Sequence, residues 1–255
     1  MDALTNRLAL YVMTAGQVTD LIRGLSPSLH SFPAGSDIVR AGTRLTRLYI
    51  IQSGWAIRYR TMEDGRRQIM NFMLPGDVFD LQAFGELEAD HSVAAINNVT
   101  VSAIEADAFR KALEECSEAA TAFWWAMVQE ESILREQIVR VGRLSARERI
   151  GHLLLELQRR LGAALGEDPM DLGLPLTRTH LADALGLTPV HVSRMVSALK
   201  RDRLIEEDRV FLRILDRKRL AALSQFDPDC VHITRRRLRA REGDNHPELQ
   251  LRRVS

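Results

Sequence analysis

At 255 residues, 45% of them hydrophobic, the chain is long enough to bury a core in two domains. No apolar run reaches the roughly 18–20 residues of a membrane span, and "MDALTNRLALYV" lacks the basic lead and apolar centre of a secretion signal. A cytoplasmic protein with no membrane partner is expected. The net charge of +1 hides an asymmetry: residues 1–144 carry 14 Lys/Arg against 18 Asp/Glu, residues 145–225 carry 14 against 11, and the remainder 7 against 5. An acidic front and a basic back suit a sensing part joined to a nucleic-acid reader. Cys116 and Cys230 are too few and too far apart for a zinc site or iron–sulfur cluster, so two reduced thiols and no metal site are expected. None of the seven histidines forms the H-x-H pair that a β-barrel metalloenzyme needs, so no catalytic residues are assigned.

From about Leu29 to Ile104 the chain runs in short alternating or apolar segments, such as "RLYIIQSG" and "HSVAAINNVTVSAI", punctuated by turns. Gly42, Gly54, Gly65 and Gly76 recur every 11 or 12 residues, as in an all-β sandwich or barrel. "EDG" and "PGD" mark two of the turns. A long helix follows, Ser117 to about Arg143. There Met127, Leu134 and Val141 repeat every seven residues, with Ile138 between them, which favours a partner helix over packing within the domain. "SARE" at Ser145–Glu148 is a capping box. It restarts a helix faced by Ile150, Leu153, Leu154, Leu157 and Leu161, and the break predicts a hinge between domains.

"PLTRTHLADALGL" reads as a short helix capped by Thr177, with Leu181, Ala184 and Leu185 inward and Gly186 placed for a left-handed turn. In "LTPVHVSRMVSALKRDRLI", Thr188 can cap and Pro189 open a second helix. At about 100° per residue, Val192, Met195, Val196 and Leu199 gather on one side. Val190, Ser193, Arg194, Ser197 and Arg201 gather opposite, on a face without acids. "LIEEDRVFLRIL" then gives two strands around an acidic turn at Glu207 and Asp208, a wing. Two short helices, a tight turn and a wing describe a winged helix-turn-helix whose second helix enters a DNA major groove. After Phe226 the chain is arginine-rich with little periodicity. It is expected either to add salt-sensitive DNA affinity or to stay solvated.

A glycine-punctuated β domain, a long helix and a winged helix-turn-helix, in that order, resemble the Crp–Fnr superfamily of bacterial transcription regulators. The resemblance covers about Leu21 to Leu223 and rests on "SARER", "LTRTHLADALGLTPVHVSRMVSALKRDRLI" and "PGD". It implies an α+β fold. An effector-sensing β jelly roll with N-terminal helices would take residues 1–116 and a dimerisation helix 117–144. A winged helix-turn-helix would take 145–225, leaving a basic tail at 226–255. The implied partners are double-stranded DNA, a second copy of the chain through Met127, Leu134, Ile138 and Val141, and RNA polymerase.

The family's base-reading positions fall on Val190, Ser193 and Arg194, and its phosphate positions on Thr177 and Arg178. Thr188 and His191 lie near the start of the reading helix, and Ser197 and Arg201 complete its free face. Arg194 has the fork that bridges guanine O6 and N7. Many members carry glutamate where Val190 stands, so a different operator is implied. In members that bind cyclic nucleotides, a Gly-Glu pair holds the ribose and an Arg-Ser pair the phosphate. Here those positions hold Asp80-Leu81 and His91-Ser92, and "GE" at Gly85-Glu86 is out of register. Histidine in place of the arginine removes the permanent cation that an anion site needs. Cyclic AMP is therefore not expected. The absence of the oxygen-sensing branch's N-terminal cysteines argues likewise against an iron–sulfur cluster. A haem at His91 stays open, and the effector is unassigned. The competing reading is a ligand-binding module whose winged helix contacts protein instead of DNA.

Overall fold

The computed structural model describes residues 3–85, 87–166, 172–209 and 211–230. Two helices open the chain, α1 (Ala3–Leu8) and α2 (Ala15–Gly24). Eight strands follow: β1 (Ser28–Phe32), β2 (Asp37–Val39), β3 (Arg47–Ser53), β4 (Ala56–Thr61), β5 (Arg67–Met73), β6 (Val78–Phe79), β7 (Ser92–Ala95) and β8 (Val99–Glu105). They form two four-stranded antiparallel sheets, ordered β1-β8-β3-β6 and β2-β7-β4-β5. This is the two-sheet roll the resemblance implies. The period of two is visible in β3. Leu48 and Ile50 face outward onto the helices, while Ile51 joins Val99, Val101, Phe79 and Val93 between the sheets. The spaced glycines do close turns. At Gly54 (φ +81°) an added Cβ would come within 2.2 Å of Asn98 O, so no other residue fits there.

Helix α3 (Ala106–Glu115) leads to α4 (Ser117–Arg143), the long helix at the predicted limits. Helix α5 (Ala146–Leu165) starts at the predicted capping box, with Ser145 Oγ accepting from Glu148 N and Glu148 Oε2 accepting from Ser145 N at 2.6 Å. Next come α6 (Arg178–Leu185), α7 (Pro189–Arg201), the wing strands β9 (Ile205–Glu207) and β10 (Leu212–Ile214), and α8 (Arg217–Leu223). Glu207 closes the first wing strand, and the wing turn starts at Asp208. The arginine-rich stretch beyond Cys230 lies outside the described residues, as does Glu86.

The cores do not follow the sequence division at Ser145. One fills the roll and another packs α1–α4 on its first sheet. The third joins Trp55, Ile57, Ile69, Phe72 and Leu74 of the second sheet to Ile150, Leu153 and Leu157 of α5, and to the winged domain beyond. The break at Ser145 is real, but the winged domain it introduces shares a core with the roll.

A chain of buried charges crosses the same junction. Arg160 of α5 donates to Asp77 Oδ2 (2.9 Å), Phe72 O (2.8 Å) and Glu156 Oε1 (3.1 Å). Asp77 also pairs with Arg7 of α1, and Glu156 with Arg140 of α4. Burial opposes charge on Glu156, yet Arg140 and Arg160 outweigh it and hold its carboxyl below the usual range. Glu156→Gln keeps the shape but leaves buried Arg140 without a counter-charge and Arg160 with Asp77 alone. A loss of about 3–5 kcal/mol is expected, read as a lower urea midpoint with an unchanged slope; a loss under about 1 kcal/mol would contradict the buried pairing.

Candidate nucleic-acid interface

The second helix of the pair, α7, is built as its residues dictate. Thr188 Oγ1 accepts from His191 N (3.2 Å), Pro189 fills the first turn, and Val192, Val196 and Leu199 are buried against the domain. Met195 is half-buried at the edge of that arc. Gly186 takes φ +63° and turns the chain between α6 and α7, as the sequence predicts.

Helix α6 is held by three other elements. Its last carbonyls, which have no intrahelical donor, accept from outside it. Gln68 Nε2 of β5 (3.1 Å) and Gln137 Nε2 of α4 (2.6 Å) reach Ala184 O, and Arg149 Nη1 of α5 (3.2 Å) reaches Leu185 O. Arg67 of β5 adds an ion pair to Asp183. At the other end Thr177 Oγ1 accepts from His180 N, and His180 Nδ1 accepts from Thr177 N at 3.3 Å. Burial beside Arg67 lowers the His180 pKa, which keeps Nδ1 an acceptor for that cap.

The face opposite the buried arc lines an open concavity. Val190 is 67% exposed, Arg194, Ser197 and Arg201 are exposed, and Ser193 and His191 are half-buried. Among the described residues Arg194 and Arg201 make no ion pair. The nearby cations of α6, α7 and the wing differ. Arg178 donates to both oxygens of Glu207 (2.9 and 2.7 Å), and Lys200 joins the same carboxylate at 3.1 Å. Arg213 is tied to Glu206 and Asp208. The sequence reading missed the Arg178–Glu207 clamp, because it joins the start of α6 to the end of the wing strand. Thr177 and Thr188, expected from the sequence to meet DNA, have their side-chain oxygens engaged as helix caps.

The four sensing residues read from the sequence separate in space. Asp80 (φ +63°) and His91 are buried together, with Nε2 3.0 Å from Asp80 Oδ1 and Nδ1 2.7 Å from Asp90 Oδ1. Leu81 packs on the helical core instead, and Ser92 Oγ accepts from Ala41 N (3.0 Å). His91 is bracketed by acids that repel a phosphate. Both ring nitrogens face carboxylates, so a haem at His91 would have to displace one of them. Arg58 of β4 is paired with Glu130 of α4, which ties the roll to the long helix.

On α4, Met127 (45% exposed), Leu134 (39%) and Ile138 (69%) run along one exposed line with half-buried Val141. Elsewhere the fold brings Glu136, His152 and Cys230 together. Sequence reading passed over these three because they lie far apart in the chain and match no spaced motif.

A model described as cyclic nucleotide-binding domain matches residues 29–116, and one described as Crp-like helix-turn-helix domain matches 148–223. The chain is 34% identical over 179 residues to the transcriptional activator protein FnrL of Cereibacter sphaeroides, covering 69% of this chain and 71% of FnrL. It is 32% identical over 193 residues to the nitrogen fixation regulation protein FixK of Bradyrhizobium diazoefficiens, covering 76% and 80% of the two chains. The structure of FixK2 from Bradyrhizobium japonicum superposes with a TM-score of 0.67 at 28% identity, over 77% of this chain and 96% of that one.

The acid-flanked His91 yields a direct expectation. Calorimetry with cyclic AMP at neutral pH should show no micromolar binding. A micromolar isotherm that His91→Ala abolishes would overturn the assignment.

Proposed function

Because the chain belongs to the Crp–Fnr family of transcription regulators, we propose that two copies pair along α4 and that each Arg194 reads a guanine. It regulates transcription through its helix-turn-helix domain. The observation that carries the proposal is the guanidinium of Arg194, unpaired among the described residues on an acid-free face, while Arg178, Lys200 and Arg213 nearby are paired. An unpaired fork gives up no protein partner when it bridges O6 and N7. Val190 supplies an apolar contact suited to a thymine methyl, and Ser193 a hydroxyl beside it. Thr188, His191, Ser197 and Arg201 border the same face and serve the backbone. Thr177 and Arg178 would meet phosphates from α6, where a phosphate competes with Glu207 for the Arg178 fork.

The dimer rests on the apolar line Met127, Leu134, Ile138 and Val141, whose seven-residue spacing suits a parallel partner helix. Pairing there would present two α7 helices about one DNA turn (~34 Å) apart. The acids around His91 support a signal other than cyclic AMP. The protein would act in the cytoplasm on double-stranded DNA, with RNA polymerase as a further partner.

Arg194→Ala should fold normally, within about 0.5 kcal/mol, and lose about 1–3 kcal/mol of specific binding per half-site. Arg178→Ala should weaken a specific site and a scrambled one alike, since phosphate contacts carry no sequence information. Titrating both variants on both DNAs at one salt concentration separates them. Equal losses for Arg194→Ala on the two DNAs, or none on either, would refute the base-reading role.

A further inference from the structure

We propose that Glu136 of α4, His152 of α5 and Cys230, beyond α8, form a binding site for a zinc-class divalent ion at the junction of the long helix and the winged domain. One carboxylate oxygen, one imidazole nitrogen and one sulfur lie within 4.8 Å of one another. Zinc bonds of about 2.0–2.3 Å to these donor types set neighbouring donors about 3.3–3.8 Å apart, so a small closure of the three side chains completes the geometry. The mixed nitrogen, sulfur and oxygen set suits zinc over the all-oxygen preference of calcium or magnesium. Three protein donors leave the fourth position to water or an incoming group.

The surroundings suit a cation. Among the described residues, Glu136 has only the His152 ring as a polar partner (3.5 Å from Nε2), and Cys230 Sγ makes no hydrogen bond. Glu156 and Asp227 add negative charge nearby, set against the cations Arg140, Arg135 and Arg159. His152 is buried while Glu136 and Cys230 are half-buried, so the site is open on one side. Phe226 packs edge-on against the His152 ring at 5.0 Å and holds the segment leading to Cys230 in place.

Binding would be felt at the junction. Arg140 Nε donates to His152 Nδ1 at 3.3 Å, which places the neutral ring's proton on Nε2, facing Glu136. An ion on Nε2 sends that proton through solvent to Nδ1, where two donors would face each other, so the Arg140 Nε–H must turn away from the ring while Arg140 keeps Gln137 and Glu156. The Cys230 thiol proton is released to water. The ion thus replaces one α4–α5 hydrogen bond with bonds that reach α4, α5 and the segment after α8. The site stands independently of how α7 meets DNA.

Cobalt(II) is the probe, added to the reduced, chelator-treated full-length protein. One ion per chain should bind with a thiolate-to-cobalt charge-transfer band and the intense visible bands of tetrahedral coordination. Cys230→Ser should remove the charge-transfer band and Cys116→Ser should keep it. Glu136→Gln and His152→Gln should each weaken cobalt binding roughly tenfold or more. Because His152 is buried, its variant is scored only if circular dichroism shows it folded; half-exposed Glu136 carries the test otherwise. A wild-type protein without the band, a band that survives Cys230→Ser or disappears with Cys116→Ser, or unchanged affinity in Glu136→Gln would each overturn the site.

Discussion

The guanidinium of Arg160 sits where three parts of the molecule meet, and their relative placement depends on its bonds. It touches the Asp77 turn and the Phe72 carbonyl of the roll, and Glu156 on its own helix. Through Asp77 it reaches Arg7 of α1, and through Glu156 it reaches Arg140 of the long helix. Each of these ions costs several kcal/mol to take out of water. The apolar core around it is stabilising but non-directional, so it would tolerate sliding of α5 across the sheet. Hydrogen bonds to charged groups are directional and fail when misaligned. The ion chain therefore fixes the register, and the shared core supplies the adhesion.

That register reaches α6 through directional contacts as well as through the shared core. Gln68, Gln137 and Arg149 come from the roll, the long helix and α5, and all end on the last carbonyls of α6. Helix α7 follows after one left-handed glycine. The roll, α4 and α5 are thus bonded directly to the end of α6 that leads into the turn before α7. Arg58 with Glu130 couples the roll to α4 from the other side.

Features encoded by neighbouring residues were legible in the sequence. Thr188, Pro189, Gly186 and the Ser145–Glu148 box each state their backbone role within four residues. The limits of α4 and the two-sided pattern of α7 follow from periodicity. The free face with Arg194 was also readable, because the buried arc defines its opposite. What stayed hidden depends on distant pairs. Nothing local links Arg7 to Asp77, Asp77 to Arg160, or Arg178 to Glu207. His91 shows why a register count alone misleads: Asp80 does lie against it, but Leu81 and Ser92, counted into the same site, point to other partners. The shared core was unreadable for the same reason, since Ile69 and Leu153 are equally apolar whichever surface they cover.

The central claim is that the junction and the α4 seam present two reading helices at a set spacing. Selecting binding sites from a pool of random duplex DNA tests it most directly. The account predicts enrichment of near-palindromes whose half-sites are centred one helical turn apart (~34 Å), each with a guanine required at one position. Enrichment of single unpaired half-sites, of palindromes without that spacing, or of no sequence at all would contradict it.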